Sequence, residues 1–157
     1  MKYLKYLFGI MFTGLIVILP FAANAKETSK TVLVLLDLSG STKGDLRQEY
    51  LNHFEKKILP SMKLGDHLSV DRILEQSLSR STMPVDIEFP ASSIFDNKLK
   101  LEKKAKDARQ DALKKVKELL ESEGTKQTDI LSSLDIAKKV FDNYPKEKKI
   151  LVIMSDM

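Results

Sequence analysis

Five oxygen-bearing side chains stand at the turning points of this chain. Asp37, Ser39 and Ser41 alternate through one loop, Thr128 precedes a helical pattern, and Asp156 ends an apolar run. Carboxylates and hydroxyls are hard donors, suited to Mg²⁺, Mn²⁺ or Ca²⁺ and not to a soft metal. Neutral hydroxyls leave a bound cation under-neutralised, so it stays attractive to an incoming carboxylate. Aspartates held one water away can orient the hydroxyls and the waters. Such a donor set is built to accept an acidic group from a partner. Singly, each residue has a plainer use: Asp37 as a turn cap, Thr128 as a helix N-cap. It is the convergence of five on one edge that favours a cation.

That convergence depends on the elements that carry them. Val32-Leu33-Val34-Leu35-Leu36 is an unbroken apolar run ending at Asp37, the pattern of a strand buried on both faces in a parallel sheet. Open α/β sheets place their ligands beyond the C-terminal ends of such strands. From Gly44, the spacing of Leu46, Tyr50, Leu51, Phe54 and Ile58 predicts a helix of one buried face, ending at Pro60. The Leu64-Gly65-Asp66 turn leads into a second strand, His67 to Leu74, which is more polar and so expected nearer a sheet edge. Residues 77–83 are polar and turn-like. Pro84 to Pro90 alternates apolar and acidic between two prolines, the pattern of a half-exposed edge strand with Asp86 and Glu88 on its wet face.

After a loop from Ala91 to Asn97, Lys98 to Ser122 reads as a long charged helix. Its core stripe is Leu101, Ala105, Ala108, Ala112, Val116 and Leu119, and Gly124 is its C-cap. Thr128 opens a further helix, with Ile130, Leu134, Ala137 and Phe141 on one face. Ile150 to Asp156 then repeats the opening logic of a buried strand ending in an aspartate. Parallel to the first strand, it sets Asp156 beside Asp37.

Composition narrows the classes. At 157 residues, 43% hydrophobic and 31% charged, the chain has the balance of one globular domain and not of a disordered segment. Residues 1–25 have the plan of a secretory signal peptide. Lys2 and Lys5 start it, Leu7 to Leu19 is its apolar core, and Ala23-Asn24-Ala25 is the cleavage site. The expected product is therefore exported, periplasmic or secreted, with residues 26–157 as the mature domain and no stable membrane anchor once the leader is cut. The formal charge of +4 falls by two when Lys2 and Lys5 leave with it. That remainder, without a basic patch interleaved with aromatics, argues against nucleic acid. The chain has no cysteine, so neither a disulfide framework nor a lipoprotein anchor is available.

Asp37-Leu38-Ser39-Gly40-Ser41, Thr128 within Gln127-Thr128-Asp129, and Asp156 within Ser155-Asp156-Met157 together resemble the von Willebrand factor type A (VWA) family. The metal-ion-dependent adhesion site of that family has the pattern Asp-x-Ser-x-Ser, then Thr, then Asp. The resemblance extends from Thr31 to Met157, loosely between Glu75 and Ser122. It implies an α/β, Rossmann-like fold: a mostly parallel sheet with helices on both faces and one antiparallel edge strand, here Val85 to Phe89. It implies that Asp37, Ser39, Ser41, Thr128 and Asp156 hold Mg²⁺, or Mn²⁺ or Ca²⁺, and that an acidic side chain from a protein ligand completes the shell. The chain departs from the pattern in two ways. Met157 stands where the family often has glycine, and the sheet stops after its fourth strand, so the expectation is the N-terminal part of such a domain.

Two other readings use the same residues. The run into Asp37-Leu38-Ser39-Gly40-Ser41-Thr42 also resembles the first motif of haloacid-dehalogenase-type, Mg²⁺-dependent phosphatases, with Asp37 as nucleophile. Ser39 stands where their general-acid aspartate would be, and Thr128 would be idle. A serine hydrolase is disfavoured because Ser39 lacks a nucleophile elbow and His53 and His67 fall in ordinary helix and strand positions. The expectation is a non-enzymatic binding domain.

Overall fold

The computed structural model describes residues 28–73, 81–91, 97–124 and 129–156. The leader reading of residues 1–25, parts of two loop readings (77–80 and 92–96), Thr128 and Met157 lie outside the described residues.

The apolar run beginning at Val32 forms the heart of the fold. Strand β1 (Lys30–Asp37) buries every residue from Thr31 onward. It pairs in parallel with β2 (His67–Ile73) on one side and with β4 (Lys148–Met154) on the other. Strand β3 (Val85–Glu88) lies antiparallel against β2, giving the order β3-β2-β1-β4. The antiparallel edge strand between prolines is where the alternation put it. β2 lies one strand in from that edge.

Alternate β1 side chains enter two separate cores, because a strand points successive residues to opposite faces. Val32, Val34, Leu36 and Leu38 pack with α1 (Asp45–His53) and with the long α3 (Lys98–Glu121). Leu33 and Leu35 pack with Ile73 and with α4 (Ile130–Asn143). The result is an α/β architecture, a mixed four-stranded sheet between helical layers. Among the described residues no helix is long and apolar enough to cross a membrane.

The helix expectations are refined in detail. The helical run from Asp45 ends within one residue of Pro60, as expected, but it is not one regular helix: α1 stops at His53. A π-helical turn (Phe54–Ile58) continues it into the short α2 (Leu59–Ser61), which holds Pro60. A proline ring crowds the carbonyl four residues back, and a wider turn relieves that crowding. On helix α4 the expected face holds at Ile130, Ala137 and Phe141, which pack in the core, and fails at Leu134, which is 43% exposed; Ser133, Ile136 and Val140 are buried as well. Its N-cap is Asp129, whose side chain accepts from the Ser132 N–H at 3.0 Å, one residue on from the cap expected at Thr128. On α3 the expected stripe is buried, Ala108 only partly, with Leu120 added. β4 is more exposed than the buried strand expected, with Ile150 and Ile153 open to solvent.

Gly65 adopts a left-handed φ of 81°, which glycine takes without strain, and its N–H reaches the carbonyls of Phe89 and Pro90. The next residue, buried Asp66, accepts from the backbone N–H groups of Lys30 and Lys63 and so fixes β1 against the turn that starts β2.

β2 carries a buried polar row on the α4 face: His67, Ser69 and Asp71. Asp86 of β3 meets the first two, and Ser81 meets Asp71. His67 Nε2 lies 2.7 Å from Asp86 Oδ1, Ser69 donates to that same oxygen at 3.0 Å, and Tyr144 donates to Oδ2 at 2.6 Å while stacking on the imidazole. Lys146 reaches Glu88 at 2.7 Å. Asp86 and Glu88 are thus more than a solvated face: they clasp the turn before β4. With Ser69 and Asp86 both on Nε2, the group is not a relay of serine, histidine and aspartate, which would divide them between the two ring nitrogens.

Burial pushes the His67 pKa down, and Asp86 only partly offsets this. Burial pushes Asp86 up, but hydrogen bonds from Tyr144 and Ser69, with the His67 ring, outweigh it and hold the carboxyl below its usual range. Asp71 is pushed up, chiefly by burial. A lowered histidine pKa means that stability is complete above the unfolded value of 6.5 and is lost as pH falls toward the folded value. Asp86 acts in the same direction at lower pH, its contribution disappearing as pH falls through its depressed folded pKa; Asp71, with its raised folded pKa, acts oppositely. The melting temperature is therefore expected to drop between pH 7 and pH 5 by less in His67→Gln than in the unaltered protein. Equal drops in paired thermal melts would rule out this role for His67.

Candidate functional site

β1 delivers Asp37 at the C-terminal edge of the sheet, and the chain turns there at once. The turn is closed by Thr42, whose N–H donates to the Ser39 carbonyl at 3.1 Å and whose hydroxyl donates to the carbonyls of Asp37 at 2.8 Å and Ser39 at 3.0 Å. Thr42 is fully buried, so this lock is shielded from water. Asp37 itself is 3% exposed. Its Oδ1 accepts from the Ser39 N–H at 2.9 Å and its Oδ2 from the Ser155 hydroxyl at 2.9 Å. The carboxylate therefore ties the first loop to the exit of β4.

The parallel register explains that contact. Leu36 stands level with Met154, so the next position pairs Asp37 with Ser155, not with Asp156. Asp156 lies one residue further on, exposed, and makes no hydrogen bond among the described residues. Its charge is nonetheless felt at Tyr50, as is that of Asp37. The structure thus brings Asp37, Ser39 and Ser41 together, sets Asp156 at the same edge, and leaves Thr128 outside the described residues.

The two serine hydroxyls meet: Ser39 Oγ and Ser41 Oγ are 2.9 Å apart, Ser39 buried and Ser41 open to solvent. That distance suits a hydrogen bond. It also suits two neighbouring corners of an octahedron around a small cation, which lie about 2.9 Å apart for Mg²⁺–oxygen bonds of about 2.05 Å. For Ca²⁺ the same edge would be about 3.4 Å. Among the described residues no three His, Cys, Asp or Glu side chains converge as a metal-binding group. The donors are hydroxyls beside one buried carboxylate, a low-charge set that fits a cation still needing an anionic ligand.

Tyr50 and Ser155 were not expected as site residues. Tyr50 reads as helix core and is buried, yet among the described residues its hydroxyl has no hydrogen-bond partner. Burial first, and then the negative charges of Asp37 and Asp156, push its pKa up to about 12. It remains a protonated donor at neutral pH, poised in the field of two carboxylates. A groove of about 410 Å³, lined in part by Tyr50, Glu49, His53, Val152 and Ser155, opens alongside. The signal for Ser155 was the strand register, which single-sequence patterning does not fix. Because an unpaired buried hydroxyl costs about 1–3 kcal/mol, Tyr50→Phe is expected to stabilise the cation-free protein by about 1 kcal/mol. Urea unfolding would measure it, and a loss of stability would show that the hydroxyl has a partner in solution.

No protein-family model and no curated protein sequence matches this chain, so the site stands on its own residues.

Proposed function

We propose that this protein is an exported, VWA-like binding domain that takes an acidic side chain of a protein ligand through a divalent cation held at Asp37, Ser39, Ser41, Thr128 and Asp156. The observation that carries the reading is the Ser39–Ser41 hydroxyl pair, 2.9 Å apart, at the end of a buried parallel strand whose aspartate is held from both oxygens. Ser39 and Ser41 would contact the cation. Asp37 would supply negative charge from beneath, its orientation set by Ser155 and by the Ser39 N–H. Mg²⁺ or Mn²⁺ fits the hydroxyl spacing better than Ca²⁺. When bound, the cation supplies a positive centre to which a ligand carboxylate adds.

The phosphatase alternative asks Asp37 to attack phosphorus with a carboxylate oxygen. Both oxygens here accept hydrogen bonds, which favours a supporting role for Asp37.

The test is titration of the protein with a glutamate-containing peptide and its glutamine counterpart, in Mg²⁺ and in EDTA. Heat of binding is expected only for the glutamate peptide in Mg²⁺. Equal binding of both peptides, or binding that survives EDTA, would contradict the proposal.

A further inference from the structure

Arg47 lies on α1, outside the donor set, yet its guanidinium meets four backbone carbonyls. Nε donates to Thr42 at 2.9 Å, Nη2 to Leu38 at 3.1 Å, and Nη1 to both Leu120 at 2.7 Å and Ser122 at 2.9 Å. Leu38 and Thr42 bracket the loop that carries Ser39 and Ser41. Leu120 and Ser122 are at the end of α3, where helix carbonyls lack intrahelical partners. The last turn of α3 has no basic residue of its own, so Arg47 also supplies the positive charge that a helix C-terminus favours.

Gly124 closes the same junction. It is not the helix cap expected from its position, because α3 ends at Glu121 and Ser122 is the cap. A methyl group on Gly124 would collide with the Leu38 carbonyl oxygen and crowd an Arg47 nitrogen. Glycine is required here by close approach of two backbones, not by a left-handed φ.

We infer that Arg47 is the positioning residue of the site: one rigid fork fixes the Ser39–Ser41 loop against the exit of α3, so the spacing of the two hydroxyls depends on a helix that contributes no ligand. This rests on the cation reading given above. Lysine cannot replace the fork, since its single ammonium does not reach four separate carbonyls at once. Arg109 provides an internal control. It holds α3 to the α2 end of the domain through the carbonyls of Leu59 at 3.3 Å and Met62 at 2.6 Å, away from the donor loop.

The experiment compares Arg47→Lys, Gly124→Ala and Arg109→Lys in two measurements. In amide hydrogen exchange without cation, Arg47→Lys and Gly124→Ala are expected to speed exchange in residues 38–42 and 120–124, and Arg109→Lys is not. In Mn²⁺ titration below the melting range, the first two are expected to weaken binding by about tenfold or more, with Arg109→Lys unchanged. Unchanged exchange at 38–42 in Arg47→Lys, or the same changes in Arg109→Lys, would overturn the inference. If Arg47→Lys does not fold, Gly124→Ala decides the same contact from the opposite side. If the unaltered protein binds no Mn²⁺, the cation reading fails, and the exchange arm still decides the role of Arg47.

Discussion

Asp37→Asn is expected to abolish the response to Mg²⁺ and Mn²⁺ while keeping the fold, and Asp37→Ala to abolish the response and part of the stability as well. The asparagine retains a carbonyl oxygen for the buried Ser39 N–H, and its amide can face the Ser155 hydroxyl as a donor. What it loses is the negative charge beneath the two serines. Alanine removes both acceptors and leaves a buried N–H unpaired, which costs about 1–3 kcal/mol. A cation at about 100 times its Kd stabilises a protein by about 2.7 kcal/mol, equivalent to a shift in melting temperature on the order of 10 °C for a domain of this size. That shift should vanish in both variants. Its persistence in Asp37→Asn would place the cation elsewhere or remove it from the account.

The largest effect on folding is expected from Leu35→Ala. Leu35 is fully buried at the centre of β1 and packs with Leu33, Ile73, Ile136, Ala137 and Val140. This second core is small, so few side chains can relax into the space. Truncation of a buried leucine costs about 2–5 kcal/mol, a large part of the roughly 5–15 kcal/mol that holds a domain together. Leu131→Ala, at a position 79% exposed on α4, is expected to change stability by less than about 0.5 kcal/mol. Denaturant midpoints of the two variants measure the contrast. Similar losses would mean that the α4 layer is not packed as described.

What the sequence made legible was whatever local pattern controls. β1 could be read because an apolar run ending at Asp37 has few other uses, and β3 because two prolines and strict alternation leave only an edge. The α3 stripe was legible because alanine and leucine recur at helical spacing over 24 residues. Placements set by distant partners were not. β2 reads as a polar strand, yet His67, Ser69 and Asp71 are buried because Asp86, Tyr144 and Ser81 satisfy them from far along the chain. α4 carries apolar residues on two neighbouring faces, and only packing against Leu33 and Leu35 chooses Ile136 and Val140 over Leu134. At the site, Asp37, Ser39 and Ser41 were legible from alternate spacing in one loop. Ser155, Arg47 and Gly124 were not, because their roles come from the register of β4 and from the approach of α3 to Leu38.

Calorimetric titration of Mg²⁺ into the metal-stripped protein is the most direct measurement. A single saturable site, lost in Asp37→Asn, is what the Ser39–Ser41 geometry predicts. Heats indistinguishable from dilution, or identical isotherms for the two proteins, would contradict it.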